Sequence, residues 1–501
     1  MPVHEAGALH ASGYGDVAIV PAWLRPPADV SELLPQLWAR TVRRNDDGAL
    51  EVGGVDVREL AAEHGTPAYV LDEADFRARA VEFRDAFADA FAELCGGAEV
   101  YYAGKAFLCT QVARWIAADG LNLDTCSGGE LAVALRGGVP PARIGMHGNN
   151  KSDAELERAL RAGLGRIIVD STVEIDRIAD AARRLGVRAR VLLRVTVGVE
   201  AHTHEYIATA HEDQKFGISL ASGAAMNAVQ QILARPELEL RGLHSHIGSQ
   251  IFDTAGFEAA AHRVVGLLAQ VRQATGETLG ELNLGGGFGI AYLSDDDPVS
   301  PHDVAGRLRA VVAAECAAFD LPVPRLAVEP GRAIAGPGTV TLYEIGTIKP
   351  VRLGASGAPG APLVRNYVSV DGGMSDNIRT ALYDAAYTCV LANRTSDAPP
   401  ALCRVVGKHC ESGDVLVRDL WLPADVQPGD LLAVAATGAY CWSMASNYNY
   451  LLKPPVVAVR DGAATEIVRR QTLSDVFALD PVLAGSAPAV PPSQPAVGVE
   501  V

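Results

Sequence analysis

Lys105 closes the run Tyr101-Tyr102-Ala103-Gly104-Lys105-Ala106-Phe107, a β-type stretch that delivers one lysine at its end. A lysine placed there is poorly solvated, so its pKa is expected to fall and its amine to become a nucleophile toward carbonyl groups. Taken alone, it could equally be a surface lysine just past a strand. Two further segments shift that balance. Gly285-Gly286-Gly287-Phe288-Gly289 is bare backbone whose N–H groups can approach a phosphate closely. It lacks the dinucleotide-binding form, because it does not open a helix within a Rossmann unit. Ser249, in His246-Ile-Gly-Ser249-Gln250, could add a hydroxyl. Glu329-Pro330-Gly331-Arg332 ends another β-type run. A carboxylate there can hold a pyridine-type nitrogen protonated, although a simple salt bridge to Arg332 is as common a reading. An amine, an acid for a ring nitrogen and a phosphate cradle are together the parts of a pyridoxal 5′-phosphate site.

These residues need a frame. Eight short β-rich runs alternate with helical patterns: Glu99–Ala103, Leu121–Asp124, Arg143–His147, Arg166–Asp170, Ala189–Val195, Leu240–His246, Glu281–Leu284 and Arg325–Glu329. Between them, Asp153–Leu164 places Leu156, Ala159 and Leu160 on one helical face, and Val173–Leu185 does so with Ile175, Ile178, Ala179, Ala182 and Leu185. Alternation of this kind implies a parallel sheet, and eight units suggest closure into a (β/α)8 barrel of the TIM type. The runs end in Lys105, Asp124, His147, Asp170, Arg194, His244 and His246, the glycines, and Glu329 with Arg332. In such a barrel the strand C-termini carry the chemistry.

After Glu329 the pattern changes to strands with few helices: Thr339–Leu353, Leu363–Asp371, Asp414–Leu422, Leu431–Ala436 and Val456–Asp461. This reads as a second, mainly antiparallel β domain, to which the hairpin-like Leu50–Val57 could add a strand or two. The expected division is an N-terminal extension (1–40), a segment contributing to the β domain (41–70), the barrel (71–335), the β domain (336–483) and a disordered Ala/Pro-rich tail (484–501). Ala355–Pro362 reads as a loop between strands.

With 501 residues and 49% hydrophobic composition, the chain can build two domains and a large core. A net charge of −17 argues against nucleic acid and anionic membranes as partners. No apolar run is long enough for a membrane span, and the first residues lack a secretory pattern. The eight cysteines contain no Cys-x-x-Cys pair, which suits reduced thiols in a cytoplasm. His202 and His204 have no carboxylate or cysteine set at ligand spacing, so no metal site is expected.

The ordered set Tyr102-Ala-Gly-Lys-Ala-Phe107, His147-Gly-Asn-Asn-Lys151, His244-Ser-His-Ile-Gly-Ser-Gln250, Gly285–Gly289, Glu329-Pro-Gly-Arg332, Asp371-Gly-Gly-Met-Ser-Asp376 and Cys410-Glu-Ser-Gly-Asp414 resembles the diaminopimelate decarboxylases. These share a fold type with alanine racemase and eukaryotic ornithine decarboxylase, and the resemblance covers about residues 45 to 475. Gly104 departs from it, since many relatives carry valine there, and looser packing of that strand end is expected. The resemblance implies that Lys105 carries the cofactor covalently, that His246 stacks on its ring and that Asp124 lies near the lysine. It implies that Ser249, Gly286, Gly287, the backbone around Gly331, and Tyr440 hold the phosphate, with Arg332 beside them, and that Glu329 pairs with the ring nitrogen. It also implies a homodimer in which Cys410 and Glu411 enter the neighbouring site. Cys410 and Lys105 are both candidates to return the proton.

For the substrate, a distal carboxylate calls for an arginine. Arg379 is the candidate with Arg332 as the second, while Glu411 could accept the distal amine, and Tyr383 and Tyr440 could add hydroxyls. An ornithine or arginine decarboxylase would gain nothing from Arg379, which would repel a distal cation. The expected reaction is therefore meso-2,6-diaminopimelate to L-lysine and CO2, the last step of lysine biosynthesis by that route. The alternatives are a basic amino-acid or carboxynorspermidine-type decarboxylase, a racemase on the same barrel, and a catalytically silent paralogue that binds pyridoxal phosphate.

Overall fold

The computed structural model describes residues 24–198, 215–353 and 364–482. Thus His202, His204, the 355–362 loop and the 484–501 tail lie outside the described residues. The strands open with β1 (Arg43–Arg44), β2 (Leu50–Val52) and β3 (Val55–Asp56), a small antiparallel sheet. Strand β4 (Ala68–Asp72) leaves it to join a larger sheet described below. The barrel strands follow: β5 (Glu99–Ala103), β6 (Asn122–Thr125), β7 (Ile144–Met146), β8 (Arg166–Val169) and β9 (Ala189–Thr196). After the two-residue β10 (Ile218–Ser219) come β11 (Leu238–His244), β12 (Glu281–Asn283) and β13 (Arg325–Val328). Pairing of β13 with β5 closes eight parallel strands into a barrel, and β10 only extends the edge of β9. All eight expected barrel strands are present.

Local sequence explains the outer helices. Asp153–Ala162 starts at a capping box in which Ser152 and Glu155 satisfy each other's backbone, and it buries Leu156, Ala159 and Leu160. Thr172–Leu185 buries Ile175, Ile178, Ala179 and Ala182 and stops at left-handed Gly186. The long helix Glu73–Cys95 buries Phe76, Phe83, Phe87 and Phe91 along one face. Phe83 and Phe87 meet Phe288, which also stacks on Phe257 with centroids 5.1 Å apart. The phenylalanine inside the glycine run is thus the anchor that seats that flexible loop in the core.

The C-terminal domain adds β14 (Thr339–Arg352), β15 (Val364–Val370), β16 (Cys389–Leu391), β17 (Pro400–Val406), β18 (Val415–Pro423), β19 (Leu431–Val434), β20 (Val456–Arg460) and β21 (Ala463–Val468). Its sheet runs β18-β17-β15-β14-β4-β20-β21, with β19 also on β14 and β16 on β19. It is mainly antiparallel, but β15–β17 and β20–β4 are parallel. The Leu50–Val57 hairpin does not extend this sheet. Its Leu50, Val52 and Val55 instead pack as a cap on Val70, Val340, Leu342 and Val457, because their apolar sides face that layer. The N-terminal stretch is tied down there too, through buried Leu37 and Trp38. Among the described residues no helix is long and apolar enough to cross a membrane.

Gly242 tests the barrel's closeness. A β-carbon added there would overlap the Glu281 carbonyl across the β11–β12 pair, next to the register shift between Leu240 and Gly242. Gly242→Ala is expected to lower unfolding free energy by about 2 kcal/mol or more in urea denaturation.

Candidate active site

Six strand ends converge. Lys105 sits in a 3-10 turn, Gly104–Ala106, directly after β5. The residue is solvent-exposed. Its pKa is raised, not lowered as expected: desolvation pulls it down, but Tyr440, Cys126 and Glu329 together outweigh that pull. Gly104 also differs from expectation. A β-carbon there would lie 2.7 Å from the Asp124 carbonyl oxygen, so the strand end is tightly packed, not loose.

At the barrel floor, Glu329 Oε1 receives three neighbours. Asn283 Nδ2 donates to it at 2.7 Å, His244 Nε2 lies at 3.0 Å and His147 Nε2 at 3.2 Å. His147 Nε2 is also 3.3 Å from Asp124 Oδ1. All four side chains around Glu329 are buried. Burial alone would raise the Glu329 pKa, yet the two histidines hold it well below the usual carboxylate range. Burial and the Glu329 charge push Asp124 up to about 7. Burial would lower His147, but Glu329 and Asp124 lift it to about 9, while burial takes His244 down to about 4. At neutral pH the cluster therefore holds an ionised Glu329 against a His147 imidazolium. The donor atoms of His147, His244 and Glu329 are close enough to ligate a cation. The Asn283 N–H is bonded to the same oxygen, while the two imidazole nitrogens lie close to it without hydrogen-bond geometry.

Above the floor, His246 Nδ1 accepts the Gly286 N–H at 3.1 Å, and burial keeps this imidazole neutral. The ring is thereby fixed in tautomer and plane. A β-carbon at Gly286 would overlap the Glu329 carbonyl, and one at Gly287 would come 2.5 Å from the Gly248 carbonyl oxygen. One at Gly331 would come 3.0 Å from Ala103 Cβ. Arg332 Nη2 donates to Ser249 Oγ at 3.0 Å, and the Arg332 guanidinium lies 5.0 Å over the Tyr440 ring. Tyr440 is held beside Lys105 by its N–H to the Ala106 carbonyl. Arg379, on the short helix Arg379–Tyr383 of the β domain, is buried and meets Arg332 through the Tyr292 hydroxyl.

The structure thus gathers Lys105, Asp124, His246, Ser249, Gly286, Gly287, Glu329, Gly331, Arg332, Arg379 and Tyr440. Tyr383, one turn beyond Arg379, is half-buried. Cys410 and Glu411 are not gathered: they are exposed on the turn between β17 and β18, where Asn449 Oδ1 accepts the Cys410 N–H. Sequence reasoning noted His147 and His244 as strand-end residues but not their meeting at Glu329. It passed over Asn283 and Tyr292, although Asn283 two residues before Gly285 is a turn signal, its Oδ1 accepting the Gly285 N–H at 2.8 Å.

Comparison with known proteins agrees with this geometry. Residues 75–336 match the pyridoxal binding domain of the pyridoxal-dependent decarboxylases, and residues 337–438 match their C-terminal sheet domain. The diaminopimelate decarboxylase of Mycobacterium leprae is 56% identical over 96% of this chain and 100% of its own length. The chain belongs to the diaminopimelate decarboxylase family. The Bacillus subtilis member is 45% identical over 88% of this chain and 97% of its own length. The crystal structure of the M. jannaschii member in complex with L-lysine superposes with a TM-score of 0.80 at 31% identity, covering 89% of this chain and 98% of that one.

The family's cofactor, pyridoxal 5′-phosphate, fits the residues of this chain on three observations. The glycine backbone is bare where any side chain would collide. Arg332 Nε is buried without a partner beside Ser249. An ionised carboxylate stands at the floor under a neutral, fixed imidazole.

The His147 bridge has a pH signature. Its pKa is raised in the fold from 6.5 to about 9, so its contribution is complete below about pH 6.5 and is lost as pH rises through about 9. His147→Gln is expected to lower the thermal midpoint of the cofactor-free protein at pH 6, with the difference from wild type shrinking by pH 10, as scanning calorimetry across that range would show.

Proposed function

We propose that this protein decarboxylates meso-2,6-diaminopimelate to L-lysine, as the last step of lysine biosynthesis by the diaminopimelate route. The observation that carries this is the pair Arg332 and Arg379. Both guanidinium groups are buried, both leave Nε without a partner, and neither has a carboxylate within 4 Å among the described residues. Two such cations suit a substrate that keeps a carboxylate away from its reacting carbon. A basic amino acid has a cation at that end and would be repelled.

Bound pyridoxal phosphate supplies the electron sink for the pair left behind as CO2 departs. In this reading Lys105 is the residue that would hold the cofactor covalently. Ionised Glu329, steadied by His147 and His244, holds a proton at the ring nitrogen and so keeps the ring electron-poor. The neutral His246 ring, tethered to Gly286, fixes the plane of the pyridine. The Gly286–Gly287 backbone, Ser249, Gly331 and Tyr440 bind the phosphate, with Asp124 near the lysine.

The assembly is a homodimer. Cys410 and Glu411 of the partner subunit complete each site, Glu411 toward the distal amine, with Tyr383 adding a hydroxyl. Cys410 of the partner subunit and Lys105 remain the two donors for the returning proton. Support comes from exposure of Cys410 and Glu411 beside the turn that carries exposed Tyr448 and Tyr450. The eight free cysteines fit a cytoplasmic location. The division into 1–40, 41–70, 71–335, 336–483 and 484–501 completes the reading.

The direct test is release of lysine and CO2 from purified holoenzyme given meso-diaminopimelate, with ornithine, arginine and L,L-diaminopimelate in parallel; turnover of ornithine or arginine alone would overturn it. Arg379→Ala is expected to raise KM for meso-diaminopimelate by about tenfold or more and to erode its preference over ornithine. Lys105→Ala is expected to abolish decarboxylation, and removing both partner-subunit groups at once (Cys410→Ala with Glu411→Ala) to lower it strongly. Mixing and reassociating the two variants should restore activity toward about one quarter of the sites, since only mixed dimers hold one intact site. Failure of the mixture would remove the shared site.

A further inference from the structure

We propose that Tyr292 is a positioning residue that couples Arg332 and Arg379 into one receptor for the distal carboxylate of the substrate. This deepens the diaminopimelate reading and rests on it. The Tyr292 hydroxyl oxygen accepts Arg332 Nη1 at 2.6 Å and Arg379 Nη1 at 2.8 Å. Its ring also lies 5.8 Å from the Arg332 guanidinium carbon and 5.2 Å from that of Arg379. Two buried cations this close repel each other, and more strongly than in water. A shared oxygen acceptor with a π-face toward both offsets that repulsion without neutralising it. The attraction for an incoming anion is therefore retained, and the unpartnered Nε–H of each guanidinium remains to be satisfied.

Tyr292 is itself held on several sides. Its ring packs edge-to-face on Tyr387 at 5.1 Å, and the Tyr387 hydroxyl accepts a second bond from Arg379 Nη1 at 2.5 Å. Asp296 accepts the Tyr292 N–H at 2.8 Å, and Thr388 donates to its carbonyl at 2.9 Å. The residue stands at the end of the loop that begins with the glycine run. Arg332 reaches Ser249 with its other nitrogen. One phenol thus ties the phosphate side of the barrel to the β-domain arginine. Removing its oxygen leaves both cations in place but frees their relative position.

The test is Tyr292→Phe in the holoenzyme. KM for meso-diaminopimelate should rise about tenfold or more while kcat stays within about threefold. Inhibition by L-lysine should weaken by a similar factor. Inhibition by cadaverine, which has the same amines and no carboxylate, should not change, nor should the cofactor absorbance. In an Arg379→Ala background, Tyr292→Phe should change KM little further. Tyr292→His, which keeps a ring acceptor, should recover part of the affinity, and is measured in the same way if the phenylalanine variant does not fold. Unchanged lysine inhibition, equal loss toward lysine and cadaverine, or full multiplication of the two substitutions would overturn the proposal. Wild-type turnover reports separately on the function. An enzyme that binds lysine over cadaverine through Tyr292 but does not decarboxylate meso-diaminopimelate keeps the receptor and loses the reaction.

Discussion

A buried carboxylate kept ionised is the constraint on which the site depends. Burial alone would protonate Glu329. His147, His244 and Asn283 oppose this, all directed at the same oxygen. Each comes from a different strand end, so the charge state of one side chain requires that β7, β11, β12 and β13 all stop at the same level. Asp124 enters from β6, and burial beside the Glu329 charge lifts its own pKa to about 7 although it shares the His147 cation, while Glu329 is held far lower. Register in the barrel is therefore an electrostatic quantity as much as a packing one.

The glycines impose the second constraint. Backbone at 286 and 287 runs against the Glu329 and Gly248 carbonyls, and backbone at 104 against that of Asp124. Gly145 leaves room for Asp124 itself, since a β-carbon there would lie 2.5 Å from Asp124 Oδ1. Such a loop would be floppy if it were only glycine. Phe288, locked among Phe83, Phe87 and Phe257, supplies the rigidity that its neighbours lack.

Much of this was legible in the chain. The barrel strands announce themselves through β-rich runs separated by one-sided helices, and strand-end chemistry follows from the fold. What escaped was non-local. Cys389–Leu391 is too short to show a period, and Pro400–Val406 begins with a residue that argues against a strand. β4 belongs to a sheet whose other members begin more than two hundred residues later, so nothing local marks its partner. The raised Lys105 pKa depends on Tyr440, Cys126 and Glu329, which reach it from elsewhere in the fold and which strand-end burial does not reveal. His147 and His244 were visible as types; their meeting at one oxygen depends on strand register, which periodicity does not encode. Tyr292 looks like a loop aromatic until the β domain delivers Arg379 to it.

That delivery shows how the two domains divide the work. The barrel provides the amine, the floor carboxylate and the bare backbone, all on strand ends within one closed sheet. The β domain provides Arg379, and its Tyr440 and Ser443 both bond the Ala106 carbonyl beside Lys105. The two sides meet at the Tyr292 hydroxyl, which takes barrel Arg332 on one side and β-domain Arg379 on the other. β14, continuous from the barrel exit at Thr339 to Arg352 and paired with β4, β15 and β19, leads the chain from the barrel into the centre of the second sheet. The charge cluster draws no side chain from beyond Glu329, so the β domain shapes the surroundings of Lys105 without supplying any member of that cluster.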